Sequence, residues 1–131
     1  MLFPHDLTIV VTDGQKLRLF RNTGTEFHMA LSELPRPDVH GENRGAGRHQ
    51  HTGEDNRDNQ EVSYELAVAK WLNHEIASDK IGPLFVIAPP RALGELRLHY
   101  SEVLKKKLVG EMAKEHTNDS VKVLEQVLKD G

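Results

Sequence analysis

The sequence has no cysteine, which excludes disulfides, zinc–thiolate sites and catalysis by a thiol. Neither sign of charge dominates, since 17 basic and 20 acidic side chains give a net charge of -3, too small to draw the whole molecule onto nucleic acid or anionic lipid. No apolar run approaches the roughly 20 residues of a transmembrane helix, and the N-terminal MLFPHDLTIV lacks the pattern of a signal peptide. These absences predict a soluble cytoplasmic protein that does not bind membranes.

The segment His40–Gln60, HGENRGAGRHQHTGEDNRDNQ, differs from the rest of the sequence. One alanine is its only aliphatic residue, and three histidines, three arginines and four acidic residues stand among glycines and asparagines. Such a segment has too few apolar groups to repay the entropy of ordering its backbone. A chain of 131 residues is otherwise the size of one domain. We therefore predict a single domain over residues 1–131, with a flexible loop at 36–60.

Before this loop, apolar residues repeat with a period of two, which is typical of strands. The dipeptide Asp13-Gly14 favours a two-residue hairpin turn between the first two strands. The turn Asn22-Thr23-Gly24 precedes the third strand, which Pro35 and Pro37 end. Three antiparallel strands are therefore predicted, and the residues that define them are Leu7, Ile9 and Val11, then Leu17 and Leu19, then Phe27, Met29 and Leu31.

After the loop, the spacing of apolar residues becomes helical. Asp58 and Glu61 form a possible capping box before the first helix. The fully apolar LFVIA at Leu84–Ala88 indicates a strand covered on both faces, and Pro90 suits the first position of the next helix. Further along, a bend is expected before Ser101, KLVGEMAKE favours a strand, and Thr117 can cap a last helix. The helical stripes are Val62, Leu66, Ala69, Leu72 and Ile76 in the first helix, and Val121, Leu124, Val127 and Leu128 in the last.

The predicted order is three strands, the loop, and then helix, strand, helix, strand and helix. An antiparallel meander followed by strand–helix–strand crossovers gives a mixed five-stranded sheet with helices packed on it. The sequence therefore predicts an α/β fold.

Three stretches of the sequence carry a resemblance to a known family: VVTDGQKLRLFRN (Val10–Asn22), FVIAPPRALGELR (Phe85–Arg97) and GEMAKEHTNDSVKVL (Gly110–Leu124). They resemble the bacterial family named "protein required for attachment to host cells", which is related to the middle domain of archaeal and eukaryotic peptide-chain release factors. The run APPRALGELR is the most specific part. The resemblance implies a ribonuclease-H-like fold. The family name describes a phenotype and supplies no mechanism.

The resemblance also gives the His40–Gln60 segment a context. In the release-factor middle domain, the Gly-Gly-Gln tip that enters the peptidyl-transferase centre lies between the third strand and the first long helix. This chain has GAGRHQ at Gly45–Gln50 in that slot and no Gly-Gly-Gln. The resemblance implies a non-enzymatic module that contacts the ribosome or structured RNA without hydrolysing peptidyl-tRNA. The residues expected to make RNA or ligand contacts are Arg44, Arg48, His49, Gln50, Arg57 and Arg91.

A histidine metal site and a two-metal nuclease site fit these residues less well. His49 and His51, with His40 nearby, offer imidazoles, but a Gly-rich segment loses much entropy when it binds a metal. A two-metal nuclease would need carboxylates such as Asp13 and Glu61 or Glu65 together with one on the central strand, and LFVIAPP has none. We therefore expect no metal, no cofactor and no catalytic residue. The alternative is a hydrolase- or nuclease-like enzyme with its site at the 40–60 loop and the Pro89–Arg91 sheet edge.

Basic residues outside the loop have both functional and structural interpretations. Arg91 directly follows a central strand, where α/β sheets often bind ligands, although it can instead pair with Glu95 four residues later. The lysines at 105–107 favour a helix C-terminus, where cations complement the helix dipole. Tyr64 and Trp71 lie off the apolar stripe of the first helix and are expected to pack. Gly94 within a helix suggests close packing against the sheet.

The first prediction is that zinc does not stabilise the protein. A ligand that binds only the native state raises the melting temperature by mass action. Because we expect no histidine metal site, thermal melts with zinc and with a chelator should coincide. A zinc-dependent rise that a His49→Ala, His51→Ala double variant abolishes would contradict this expectation.

Overall fold

The centre of the fold is a mixed five-stranded sheet with the strand order β3-β2-β1-β4-β5. The computed structural model describes residues 3–37, 39 and 56–130, with only the helical backbone described for 56–63. Strand β2 is antiparallel to both β1 and β3, whereas β4 is parallel to both β1 and β5. The mixed sheet predicted from the sequence is confirmed. The strands are β1 (Thr8–Thr12), β2 (Leu17–Asn22), β3 (Leu31–Leu34), β4 (Leu84–Ala88) and β5 (Leu108–Ala113).

Helices cover both faces of the sheet. The helices of the described residues are α1 (Asn56–Ala77), α2 (Pro90–Arg97), α3 (Glu102–Lys107) and α4 (Val121–Asp130). The larger apolar cluster joins one face of the sheet to α1, α2 and α3. The smaller cluster joins the other face to α4 and to Phe3, whose ring meets that of Phe85 edge-on at 5.5 Å. No helix within the described ranges is long and apolar enough to cross a membrane.

The two central strands are buried along their whole length. The prediction that β4 is covered on both faces is confirmed, because each of its residues is buried. Strand β1 was expected to be half-buried, and that expectation is wrong. Val10 points into the larger cluster, while Ile9 and Val11 point into the smaller one, so both faces of β1 are apolar.

The third strand is shorter than the alternation predicts. It begins at Leu31, and the Phe27 side chain is 72% exposed. The buried Asn22 carboxamide explains the difference, because its Oδ1 accepts hydrogen bonds from the N–H groups of Gly24 (3.0 Å) and Ala30 (3.1 Å). These bonds fold residues 23–30 into a loop, and side chains in a loop need not alternate between faces.

Two predicted helix caps are wrong. Helix α1 begins at Asn56, so Asp58 lies inside it and cannot be the N-cap of a box with Glu61, and the last five residues of the predicted 36–60 loop are helical. Helix α4 begins at Val121, and Ser120 Oγ accepts from the Val123 N–H at 3.2 Å. The expected cap, Thr117, is instead fully buried. A hydroxyl residue near a helix start marks the cap only to within a few positions.

The chain does break before Ser101, as expected. Helix α2 ends at Arg97, and Ser101 caps the separate short helix α3 through a bond from the Leu104 N–H to its Oγ. The lysines at 105–107 fill the last turn of α3, as predicted.

The packing prediction for Gly94 is wrong. Gly94 is exposed on α2, and a Cβ atom there would meet nothing within 4 Å. The glycine in close contact is Gly110 of β5, where a Cβ would lie 2.8 Å from Phe85 Cε2. Phe85 is only 3% exposed, so its ring has little room to move.

Substituting these two glycines with alanine should therefore have opposite effects on the free energy of unfolding. Gly94→Ala should stabilise the protein by about 1 kcal/mol, because alanine is the better helix former and meets open space. Gly110→Ala should destabilise it by roughly 1–3 kcal/mol, because the methyl group overpacks the core against Phe85. Urea denaturation measures both, and a destabilising Gly94→Ala or a neutral Gly110→Ala would contradict the packing described.

Candidate functional site

The parallel strands all end at one edge of the sheet, here called the carboxyl edge. Strands β1, β4 and β5 run in the same direction, so Thr12, Ala88 and Ala113 end there. Strand β3 runs with them, because both β1 and β3 are antiparallel to β2. Ligands of open α/β sheets bind preferentially outside the carboxyl ends of such strands. The carboxyl edge is therefore the candidate site.

The hairpin between β1 and β2 forms part of this edge. Asp13 Oδ1 accepts hydrogen bonds from the N–H groups of Gln15 (2.9 Å) and Lys16 (2.8 Å). Gly14 has a φ of 94°, and within the turn it alone has a positive φ. The hairpin at Asp13-Gly14 is confirmed, but its predicted length of two residues is wrong, because β1 ends at Thr12 and β2 begins at Leu17. The longer turn is held by the Asp13 carboxylate.

A buried carboxylate lies directly against this hairpin. Glu65 projects from α1 and is 1% exposed. A Cβ on Gly14 would lie 2.7 Å from Glu65 Oε2, so the lack of a side chain at position 14 makes room for the carboxylate. The structure thus brings Glu65 against the hairpin that carries Asp13, and both are residues that a nuclease site would require. Within the described parts of the chain, however, no group of three histidine or acidic side chains could hold a metal ion.

Tyr64 lies next to Glu65 in the chain and is also buried, at 6% exposed. Burial raises the pKa of the Tyr64 phenol to about 12; the negative charge of Asp13 raises it further, and Arg36 opposes the shift. The phenol therefore remains neutral at physiological pH. Tyr64 and the partly buried Trp71 both pack on the larger apolar cluster, which confirms the expected packing role.

Arg91 lies just beyond the carboxyl end of β4, as the sequence predicts. Pro89 is the N-cap of α2 and Pro90 its first residue, as the sequence indicated. Arg91 follows as an exposed residue, while Ala92 and Leu93 turn into the core. The guanidinium is thus carried by the first turn of a helix that begins directly beyond β4.

The remaining candidate contacts belong to the sequence that follows β3 and to the start of α1. Arg44, Arg48, His49 and Gln50 lie outside the described residues, and Arg57 belongs to the first turn of α1, where the backbone alone is described. Strand β3 ends at the carboxyl edge, and the contact between Glu65 and the β1–β2 hairpin places the early turns of α1 there as well. The chain between β3 and α1 therefore leaves and returns on the side that presents Arg91.

Sequence reasoning missed the role of Arg18. This residue of β2 binds Glu33 of β3 through both carboxylate oxygens, at 3.0 and 2.9 Å. Its Nη1 also donates to the carbonyl oxygens of Thr117 (2.9 Å) and Asp119 (2.6 Å). The hydrogen bond and charge of Glu33 raise the pKa of Arg18, and Arg18 lowers the pKa of Glu33. Arg18 therefore fastens the β5–α4 connection to the carboxyl edge.

The same connection carries two further polar contacts. His116 Nδ1 and Asp119 Oδ2 are 2.7 Å apart, and Lys16 Nζ donates to Asn118 Oδ1 at 3.2 Å. No local pattern in the sequence signals these contacts, because they join residues about a hundred positions apart or lie within an irregular turn.

A substitution at Gly14 tests the geometry of the hairpin. Gly14→Ala should lower the free energy of unfolding by about 1–3 kcal/mol, because alanine is strained at this φ and its methyl group meets the Glu65 carboxylate. In a Glu65→Ala background the same change should cost less, since only the backbone strain remains. Urea denaturation of the two single variants and the double variant measures this coupling, and strictly additive effects would show that the two residues are not in contact.

Comparison with known proteins indicates the family of the chain. No curated protein matches the chain. A family model, described as bacterial archaeo-eukaryotic release factor family 12, matches residues 6–128 and so includes β1 to β5. The match confirms the release-factor-like part of the resemblance and does not bear on host attachment. The chain belongs to bacterial archaeo-eukaryotic release factor family 12.

Proposed function

We propose that the protein is a non-enzymatic module that binds the ribosome or another structured RNA through its carboxyl edge. Membership of a release-factor family carries this proposal. The Gly-Gly-Gln tripeptide is missing from the sequence, which supports a role in translation other than hydrolysis of peptidyl-tRNA. An effect on attachment to host cells would then be indirect, since it would follow from an effect on translation.

The sheet supports the ribonuclease-H-like fold that the resemblance implies. Its strand order is β3-β2-β1-β4-β5, and β2 is the one reversed strand among the five. In this fold the segment between β3 and α1 corresponds to the release-factor segment that carries the catalytic tip. The resemblance therefore assigns the sequence between β3 and α1 to the part of a release factor that meets ribosomal RNA.

The proposed RNA contacts are made by arginines of the segment between β3 and α1, of α1 and of α2. Arg44, Arg48 and Arg57 bind phosphates, because guanidinium groups match phosphate oxygens in geometry and charge. Arg91, exposed at the start of α2, is a second point of contact beside them. His49 and Gln50 stand at the sequence position that the resemblance assigns to the tip, and in this proposal they supply further hydrogen bonds to the RNA.

The acidic residues near these arginines restrict the kind of RNA that the protein can bind. Glu42, Glu54, Asp55 and Asp58 stand within the same stretch of sequence and repel a phosphate backbone. These carboxylates therefore weaken any nonspecific attraction of the segment to free RNA. A folded RNA surface that places phosphates near the arginines and away from the carboxylates satisfies both signs of charge, which favours the ribosome over single strands.

Ribosome co-sedimentation at several salt concentrations tests the proposal. Each neutralised phosphate contributes a slope of roughly 0.7 to the logarithmic salt dependence on single strands, so three arginines contribute about 2. The Arg44→Ala, Arg48→Ala, Arg57→Ala variant should therefore bind more weakly and with a shallower salt dependence than the wild type. Arg91→Ala should produce a smaller change in the same direction.

A charge-matched variant provides the control. Lys70→Ala, Lys80→Ala, Lys129→Ala removes three exposed cations, which lie in the second half of α1, just after it and in the last turn of α4, away from the carboxyl edge. It should co-sediment like the wild type. The proposal fails if the wild type never co-sediments, or if the arginine variant and the lysine variant bind equally well.

A further inference from the structure

The chain directly after β3 holds Arg36 in a fixed place. Strand β3 ends at Leu34, which packs against the larger apolar cluster, and Val39 is 1% exposed within the same cluster. Arg36 therefore lies on a short span that is anchored at both ends. Its neighbours are Pro35 and Pro37; a proline fixes its own φ, and it restricts the residue before it to extended conformations. The backbone that carries the Arg36 side chain thus has little freedom.

The Arg36 side chain is close to a carboxylate but is not hydrogen-bonded to it. It is 60% exposed, and its Nε lies 3.9 Å from Glu33 Oε2, which is too far for a hydrogen bond. Both oxygens of Glu33 are instead bound by Arg18, at 3.0 and 2.9 Å. Among the residues that the structure describes, the Arg36 side chain makes no hydrogen bond. Its N–H donors can therefore serve an external acceptor.

These three side chains leave one positive charge at the surface. Glu33 carries one negative charge between two guanidinium groups. Arg18 is the closer partner and is only 12% exposed, so it neutralises Glu33 away from solvent. The remaining positive charge belongs to Arg36, the most exposed of the three. Because an exposed ion pair at this distance contributes little to stability, the contact with Glu33 adds little to the fold.

Arg36 lies at the carboxyl edge. Strand β3 ends there, and Arg36 follows it by two residues. Burial raises the pKa of Tyr64 and the positive charge of Arg36 lowers it, so Arg36 also lies close to α1. Arg91 follows β4 at the same edge, and the two strands β2 and β1 separate β3 from β4. At about 4.8 Å per strand, β3 and β4 are roughly 14 Å apart, so the two arginines cannot share one phosphate group.

We propose that Arg36 is a preorganised phosphate-binding residue of the carboxyl edge and that it contacts a backbone phosphate of the RNA. This inference rests on the proposed function and adds to it a contact on a fixed part of the protein. A guanidinium group presents its N–H donors in a planar fork that matches two phosphate oxygens. Because Pro35 and Pro37 already restrict the backbone, binding loses less conformational entropy. Glu33 stays with Arg18, so phosphate binding breaks no hydrogen bond between them.

Ribosome co-sedimentation over a range of salt concentrations tests the role of Arg36. Arg36→Ala should weaken binding and lower the slope of the logarithmic salt dependence by about 0.7, because one phosphate contact is lost. Arg36→Lys keeps the charge and should keep the salt slope. Its affinity should lie between those of Arg36→Ala and the wild type, because an ammonium group lacks the planar fork that binds two oxygens.

Arg97→Ala is the matched control. Like Arg36, Arg97 is an exposed arginine beside a glutamate, since it is 56% exposed and lies 2.7 Å from Glu111. It is the last residue of α2, at the far end of that helix from Arg91. Arg97→Ala should match the wild type in affinity and in salt slope. Thermal melts check that all variants fold.

Pro37→Ala tests whether the fixed backbone contributes to binding. The change leaves the guanidinium group and its charge in place but frees the backbone of Arg36. The salt slope should stay that of the wild type, and the affinity should fall about two- to fivefold, because binding must then order the backbone. Wild-type affinity in Pro37→Ala would show that Arg36 is not preorganised.

The affinity and salt slope of the wild type in Arg36→Ala would overturn this inference, and so would an equal loss of binding in Arg97→Ala. In both cases the proposed function stands if the wild type co-sediments and the Arg44→Ala, Arg48→Ala, Arg57→Ala variant binds more weakly. A wild type that never co-sediments would overturn the inference and the proposed function together.

Discussion

Strand β1 is the element on which the rest of the structure depends. It is hydrogen-bonded to antiparallel β2 on one side and to parallel β4 on the other, so it joins the two halves of the sheet. All five of its residues are buried, and its side chains enter both apolar clusters. Because β1 and β4 end together, the hairpin at Asp13 and the helix start at Arg91 are brought to one edge. The proposed function depends on this parallel pairing.

The features predicted correctly from the sequence are those with a local physical cause. The five strands follow from apolar spacing and from the turn residues between them. Strand β4 is recognisable because an uninterrupted apolar run suits a strand covered on both faces, and Pro90 marks a helix start because its missing N–H costs nothing there. The exposed position of Arg91 beyond β4 follows directly from these two signals.

The features that could not be predicted depend on contacts between distant parts of the chain. The short β3 results from the Asn22 side chain, which replaces strand pairing with a loop. The close packing expected at Gly94 is found at Gly110, because the space at a glycine is set by neighbours such as Phe85. The alternation of apolar and polar residues in β2 marks Arg18 only as an outward-facing strand residue. Its side chain nevertheless binds the Thr117 carbonyl in the β5–α4 connection, 99 residues away. Glu65 meets Gly14 only after α1 has packed on the sheet.

The proposed function requires that the carboxyl edge is the end of the molecule that faces RNA. Photo-crosslinking from single positions tests it most directly, because it reports which surface lies against the ribosome. Gln15 is exposed on the carboxyl-edge hairpin, and Phe27 is exposed on the β2–β3 loop at the opposite edge. A photoreactive side chain at position 15 should crosslink to ribosomal RNA, and one at position 27 should not. RNA crosslinks from position 27 and none from position 15 would contradict the account.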